Sequence, residues 1–114
     1  MKVFISQGMN GRSEEEILQE REKVLKIVEI IKDTLQRRSN CEDDSIEILD
    51  TYFTDDEPEG VKRSGIYWLG KSMELLSQAD ICIFINKHYE KYRGCYLEYL
   101  VCEKYFIPTY ELEL

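Results

Sequence analysis

One carboxylate stands alone in an apolar segment near the end of the chain. In RGCYLEYLVCE, residues 93–103, Glu98 is the only charged residue between Gly94 and Cys102. A carboxylate buried in such surroundings costs free energy unless it is paired or its pKa moves, and in a pocket it can act as a nucleophile or base. In the first turns of a helix the same acid can equally point to solvent. Arg93 is a candidate partner for it, an anion contact or a solvated loop residue.

A second candidate is the turn that follows the first strand-like run. The segment QGMNGR, residues 7–12, lies between KVFIS and a helix start, and it contains Gly8 and Gly11. Backbone N–H groups in such a turn, with the dipole of the helix that follows, suit a phosphate. The spacing is neither GxGxxG nor that of a P-loop, so the alternative that both glycines only make the turn stays open.

Other segments have a structural explanation beside a functional one. The acidic segment TDDEPEG, residues 54–60, is typical of a solvated loop, and a metal or sugar-hydroxyl site is the alternative. Nearby aromatic residues could stack on a base or pack in the core: Tyr52, Phe53, Tyr67 and Trp68. We interpret His88 as an exposed loop residue and Asp80 as fixing the entrance of the strand that follows it.

Length and charge narrow the class of protein. A chain of 114 residues predicts one domain over residues 1–114. Its net charge of -8 argues against broad binding to nucleic acid or anionic membrane. No run approaches the ~20 apolar residues of a membrane span, and the chain opens on a strand-like run, so we expect no signal peptide and a cytoplasmic protein. Four cysteines without a CxxC pair, and one histidine, predict free thiols and no metal or cofactor.

The apolar periodicity predicts alternating strands and helices. The first half of the chain is expected to form a strand over 2–6, a long helix from Ser13 to about residue 39, and a strand over 45–53. Ser13 and Glu16 form a capping box at the start of that helix. The second half is expected to form a helix over 64–79, a buried strand over 81–85, a helix over 95–104 and an edge strand over 105–110. Such alternation indicates an α/β fold with a parallel sheet covered on both faces. Ligands of these sheets bind beyond the carboxyl ends of the strands, and this places Glu98 near the expected site.

Three segments together resemble the nucleoside 2-deoxyribosyltransferase superfamily, and especially its small phage- and bacterium-borne branch. They are KVFISQGMNGRSEEEI, YWLGKSMELLSQADICIFIN and RGCYLEYLVCE, which cover nearly the whole chain in the expected order. The strongest element is Gly94-x-x-x-Glu98 after a buried strand. The resemblance implies a Rossmann-like three-layer sandwich with a mostly parallel sheet of four to five strands, and assembly as a homodimer or higher homo-oligomer.

The resemblance also implies the chemistry. Glu98 would attack the anomeric carbon of a (deoxy)nucleoside or its 5'-monophosphate and form a covalent glycosyl-enzyme. Residues of the first turn would hold the phosphate or ribose end: Gln7, Gly8, Met9, Asn10, Gly11 and Arg12. Arg93 or Tyr92 would border the nucleophile, and Gly94, from the motif, would contact the substrate. Tyr52 and Trp68 are added as substrate contacts from their position beside the acidic loop and not from the resemblance.

Two positions depart from the family pattern. Phe4 stands where the family usually has a tyrosine that is hydrogen-bonded to the nucleophile. Ser72 stands where the family has an aspartate for proton transfer to the leaving base, and Glu74 is the nearest acid. Loss of a general acid typically costs ~10²–10⁴-fold in rate. We therefore keep two alternatives beside the enzyme: a non-catalytic nucleotide-binding or sensing module, and an interaction protein that uses the acidic loop and its tyrosine-rich surface.

Overall fold

The computed structural model describes residues 1–43 and 45–114, and its centre is one parallel sheet between two layers of helices. The elements are β1 (Lys2–Ser6), α1 (Glu14–Ile30), α2 (Lys32–Ser39), β2 (Glu47–Leu49), α3 (Ser64–Leu76), β3 (Ile81–Ile85), α4 (Arg93–Tyr105) and β4 (Thr109–Leu112), with a 3-10 turn at His88–Glu90. The strand order is β2-β1-β3-β4 and every pairing is parallel. The predicted α/β fold, a Rossmann-like sandwich, is confirmed with four strands.

The core lies on both faces of the sheet because successive strand side chains point to opposite sides. One face packs against α1 and α2 through Val3, Ile5, Ile81, Ile83, Ile85, Val24, Val28 and Leu35. The other face packs against α3 and α4 through Phe4, Cys82, Phe84, Leu76 and Cys102. Every residue of β3 is buried, as its uninterrupted apolar sequence predicted.

The first helix begins as predicted but does not continue to residue 39. Ser13 is its N-cap, and the Ser13 hydroxyl accepts a hydrogen bond from the Glu16 backbone N–H at 3.2 Å. The prediction of one long helix is wrong, because the backbone leaves helical values at Ile31 (φ -97°, ψ 15°). Ile31 still packs against the core, so the same apolar face continues through the bend and periodicity alone did not reveal it.

The second strand is shorter than predicted. The expected strand over 45–53 is reduced to Glu47–Leu49, which pairs with β1 over three positions. Beyond it, the Thr51 side chain donates a hydrogen bond to the Ile5 carbonyl at 3.3 Å, and Asp50 Oδ1 accepts from the Tyr52 N–H at 2.9 Å. Side chains therefore take over the hydrogen bonds that a longer backbone ladder would make.

The boundaries of the last two helices also differ from the predicted ones. The helix predicted to run to residue 79 ends at Leu76, and α4 covers Arg93–Tyr105 in place of 95–104. Phe106 adopts a left-handed conformation (φ 58°), and the N–H of the next residue bonds back to the Cys102 carbonyl at 3.0 Å. This cap occupies the start of the strand predicted over 105–110, so β4 begins at Thr109. Its edge position is confirmed.

Asp80 has the position predicted for it at the start of β3. Its carboxylate accepts a hydrogen bond from the Lys2 N–H at 2.6 Å, and its own N–H donates to the Lys2 carbonyl at 2.8 Å. These two bonds join the beginnings of β1 and β3. In the described ranges, 1–43 and 45–114, no helix has the length and apolar character needed to cross a membrane.

Candidate functional site

A cleft of about 920 Å³ opens at the carboxyl ends of β1 and β3. Its walls come from four parts of the chain: the turn after β1, the segment after β2, the first half of α3 and the first turns of α4. This is the edge of the sheet at which α/β folds bind ligands. Ten of the thirteen site residues proposed from the sequence line this cleft, and the other three, Gly11, Arg12 and Glu74, do not.

Glu98 lines the cleft although it is only 6% exposed. The Ser6 hydroxyl donates a hydrogen bond to Glu98 Oε1 at 2.8 Å. Burial raises the pKa of the Glu98 carboxyl to about 7, while the bond from Ser6 acts in the opposite direction. Among the described residues no basic side chain forms an ion pair with it. The isolated acid of the sequence is therefore an isolated buried carboxyl at the wall of the cleft.

Sequence reasoning missed Ser6 as the partner of this carboxyl. It considered Phe4, where the family pattern has a tyrosine, but Phe4 is fully buried in the core. Because strand side chains alternate, Phe4 and Ser6 lie on the same face of β1, the face that packs against α4. This alternation was the signal in the sequence that could have identified Ser6, the last residue of β1, as a hydrogen-bond donor in place of the tyrosine.

The glycine turn is held closed by two aromatic side chains. The Gly8 N–H donates to His88 Nδ1 at 3.0 Å, and the Tyr92 ring occupies the space that a Cβ on Gly8 would need. The interpretation of His88 as an exposed loop residue is wrong, since it is 7% exposed and packs against the Tyr92 ring. Burial lowers the pKa of His88, which favours the neutral ring that accepts this bond.

Two of the polar side chains of this turn, Gln7 and Arg12, bind mainly within the protein. Arg12 donates to the Gly8 carbonyl at 2.8 Å and forms two hydrogen bonds with Glu20, at 3.0 and 2.9 Å. Burial would raise the pKa of Glu20, but the bonds from Arg12 and Gln7 hold it below its usual value. The Gln7 amide also donates to the Ile17 carbonyl at 2.8 Å.

Four residues of the turn line the cleft and two do not. Gln7, Gly8, Met9 and Asn10 are part of its wall, whereas Gly11 and Arg12 are absent from it. Gly11 has a positive φ of 79°, a conformation that favours glycine, so the geometry of the turn is enough to explain this residue. The predicted contact between Arg12 and a phosphate therefore has no support from the placement of its side chain.

An aromatic surface forms the opposite wall. Tyr52, Phe53 and Trp68 line the cleft. The rings of Phe53 and Trp68 stack with centroids 5.4 Å apart and planes 17° from parallel. The Trp68 indole N–H donates to Glu57 Oε1 at 3.0 Å, so one acid of the loop over 54–60 orients this wall. A flat apolar surface of this kind suits a planar ligand group.

The two candidates for proton transfer are placed differently. Ser72 lines the cleft, whereas Glu74 does not. The Glu74 side chain is 73% exposed and lies 3.9 Å from the Lys71 ammonium group. Glu98 is the only acidic residue in the described lining of the cleft, and residue 72 contributes a serine hydroxyl to it.

Four basic residues also line the cleft, although the sequence analysis named only Arg93. They are Lys62, Arg63, Lys91 and Arg93. Gly94 lies beside the last of them and also forms part of the wall. No group of three or more His, Cys, Asp or Glu side chains in the described residues is arranged to hold a metal ion.

Comparison with protein-family models, curated proteins and solved structures finds no match for the chain. What the fold and the site define is a class: an α/β protein with a parallel sheet, a cleft at the carboxyl ends of its strands and one buried carboxyl in the cleft wall. The resemblance to the nucleoside 2-deoxyribosyltransferase superfamily stays a prediction from the sequence.

Proposed function

We propose that the protein cleaves or transfers at the N-glycosidic bond of a (deoxy)nucleoside or its 5'-monophosphate through Glu98. The observation that carries the proposal is this buried carboxyl, which has a pKa raised to about 7 and lines a cleft of about 920 Å³. Titratable groups with strongly shifted pKa values in clefts are frequent in active sites. The sequence resemblance supports the same residue as nucleophile.

The hydrogen bond from Ser6 leaves one oxygen of the carboxyl for chemistry. Ser6 holds Oε1, and no hydrogen bond from the described residues engages Oε2. In the proposed reaction the ionised carboxylate attacks the anomeric carbon, and the C–N bond to the base breaks with its electron pair leaving on the base. Water or a second base then attacks the anomeric carbon of the glycosyl ester and breaks its bond to Glu98, which restores the carboxylate and gives the free sugar or a new nucleoside. The proton that this nucleophile loses balances the proton that the departed base takes up.

Binding of the base is supported by the aromatic wall. A base stacked on the surface formed by Tyr52, Phe53 and Trp68 would lie in the same cleft as Glu98. Ser72 would face the leaving base and Arg93 and Gly94 would border the sugar, because all three line the cleft. Gln7, Gly8, Met9 and Asn10 would close the remaining side.

One observation favours a second candidate, a non-catalytic module that binds or senses a nucleotide. A departing base needs a proton, and Glu98 is the only acid in the described lining of the cleft. A serine hydroxyl at residue 72 is a poor proton donor, and loss of a general acid costs ~10²–10⁴-fold in rate. The same aromatic wall would serve binding without cleavage.

Two statements about context also belong to the proposal, an assembly that the resemblance implies and a location that the cysteines support. A homodimer or higher homo-oligomer is consistent with the exposed apolar side chains of Ile66 and Leu97 at the rim of the cleft, which are 69% and 41% exposed. All four cysteines are free thiols, as is usual in a reducing compartment, and this supports a cytoplasmic location. Light scattering on the purified protein tests the assembly.

A chromatographic assay for free base, run over the common deoxynucleosides and their monophosphates, tests the reaction. Wild type should release base, and Glu98→Gln should abolish the release because an amide cannot act as the nucleophile. Glu74→Gln is the matched control, since its exposed carboxylate lies outside the cleft. A Glu98→Gln protein as active as wild type contradicts the proposal. If calorimetry shows tight nucleotide binding and no base is released, the protein is the non-catalytic module that binds or senses a nucleotide.

A further inference from the structure

The charge of the cleft is opposite to that of the chain. The protein has 23 acidic and 15 basic residues, yet the cleft is lined by four basic residues and one acid. That acid, Glu98, is only partly ionised near neutral pH because its pKa is raised to about 7. The cleft therefore has a local excess of about three to four positive charges on a protein of net charge -8.

These cations form two pairs in segments of similar composition. Lys62-Arg63-Ser64-Gly65 leads into α3, and Lys91-Tyr92-Arg93-Gly94 leads into α4. In each, a lysine lies three residues before a glycine and an arginine lies between them. The two segments are 29 positions apart in the sequence and both line the same cleft, so each contributes one basic pair to it.

Both glycines leave open space beside unbonded backbone donors. Gly65 and Gly94 are the second residues of their helices, and a Cβ added to either would meet no atom within 4 Å. Neither helix has a side-chain cap, whereas Ser13 caps α1. First-turn N–H groups without a cap remain available to a ligand. These donors supplement the basic side chains.

The basic pairs are not neutralised within the described part of the chain. None of the four side chains forms an ion pair with a described acidic residue. Arg12 at the glycine turn is the opposite case, because Glu20 lies 2.9 Å from its guanidinium. Positive charge without an ion-pair partner among the described residues is thus concentrated at the starts of α3 and α4, whereas Arg12 of the glycine turn is paired.

We propose that the cleft binds a nucleotide with two phosphate groups, a nucleoside diphosphate, with the phosphates held by the Lys62–Arg63 and Lys91–Arg93 pairs. One phosphate monoester carries about -1.5 to -2 charge at pH 7, so a monophosphate leaves roughly half of the positive charge unmatched. A diphosphate matches it, and each arginine can bind a phosphate through two N–H groups. The nucleoside half of the ligand rests on the proposed function.

Calorimetry tests this assignment with a graded set of ligands. The set is each common deoxynucleoside, its 5'-monophosphate, its 5'-diphosphate, and inorganic pyrophosphate as a probe without a base. For at least one nucleoside we expect the diphosphate to bind about 10-fold or more tightly than the monophosphate, and pyrophosphate to compete with it. Higher salt should weaken diphosphate binding more than nucleoside binding, because the added contacts are between charges.

Charge-neutral variants locate the phosphates. Arg63→Gln should weaken diphosphate binding about 10-fold or more and leave nucleoside binding unchanged, and Arg93→Gln should weaken diphosphate binding by a larger factor than nucleoside binding. Arg37→Gln is the matched control, because Arg37 is an exposed arginine on α2, on the other face of the sheet. All three sites are exposed, so the variants should unfold at the wild-type temperature.

The two proposals fail separately. Equal affinity for mono- and diphosphates of every nucleoside, or unchanged diphosphate binding by Arg63→Gln and Arg93→Gln, overturns the diphosphate assignment even if the protein releases base. Diphosphate binding that depends on both arginines, with no base released from any compound, supports the assignment and refutes the proposed glycosidic chemistry.

Discussion

Replacing Glu98 by glutamine should remove a pH-dependent loss of stability. Burial raises the pKa of this carboxyl from 4.5 to about 7, so the folded protein favours its protonated form. Because the folded state binds this proton more tightly than the unfolded state, the protonated carboxyl stabilises the fold fully below pH 4.5. That contribution to the free energy of unfolding is lost as pH rises through 7. Because a tenfold change in a proton-binding constant corresponds to ~1.4 kcal/mol, the free energy of unfolding should fall by about 3 kcal/mol across this range.

Glutamine is a close replacement for the protonated acid. It has nearly the same shape, and its Oε1 can accept the hydrogen bond from the Ser6 hydroxyl. We therefore expect nearly equal stability of Glu98→Gln and wild type at pH 4.5. At pH 8 the variant should be more stable by about 3 kcal/mol, or about 10 °C in Tm for a domain of this size.

Urea and thermal unfolding of the two proteins, followed by circular dichroism from pH 4.5 to 8.5, measure this difference. His88, whose pKa burial lowers, is present in both proteins, so its effect cancels in the comparison. Glu74→Gln controls for the loss of one negative charge, because that carboxylate is exposed. A Glu98→Gln advantage that is the same at pH 4.5 and 8, or that reverses at pH 8, would refute the reasoning, since it means that Glu98 ionises without a burial cost.

Three further predictions concern the same site. If the protein releases base, the rate should rise with pH to half its maximum near 7, because only ionised Glu98 attacks; a profile that is flat between pH 5 and 8 contradicts this. Ser6→Ala should move that midpoint to higher pH, because the hydrogen bond from Ser6 lowers the pKa of Glu98. It should also lower the free energy of unfolding in urea by about 1–3 kcal/mol. An unchanged midpoint would mean that this hydrogen bond does not affect the pKa of Glu98. Gly8→Ala should lower the free energy of unfolding by about 1–3 kcal/mol, because the added Cβ collides with the Tyr92 ring. Gly70→Ala is the comparison: it lies in open space within α3 and should raise the free energy of unfolding by about 1 kcal/mol.

The order of strands and helices was predictable because it depends on local patterns. The uninterrupted apolar run of β3 indicates a strand covered on both faces, and the structure buries all five of its residues. The Ser13 cap is likewise a local signal. From this order alone, the parallel sheet follows, and so does the place of Glu98 near the carboxyl ends of the strands.

The features that were missed depend on contacts between distant segments. Nothing near His88 in sequence indicates that it accepts a bond from Gly8, 80 residues away. The shortening of β2 depends on the Thr51 side chain meeting the Ile5 carbonyl. Arg12 has the residue type of a phosphate contact, but its hydrogen bonds to Glu20 appear only once the turn and α1 are packed together.

The two walls of the cleft are built from different kinds of backbone. Ser6 and Glu98 belong to a buried strand and a helix that the sheet ladder and the core fix in place. Tyr52, Phe53 and Lys62 lie on the connection between β2 and α3, residues 50–63, which contains no helix or strand. Insertions and substitutions are tolerated better in such connections than in the elements that they join. Mutational drift should therefore change the aromatic wall of the cleft long before it alters the buried carboxyl of Glu98.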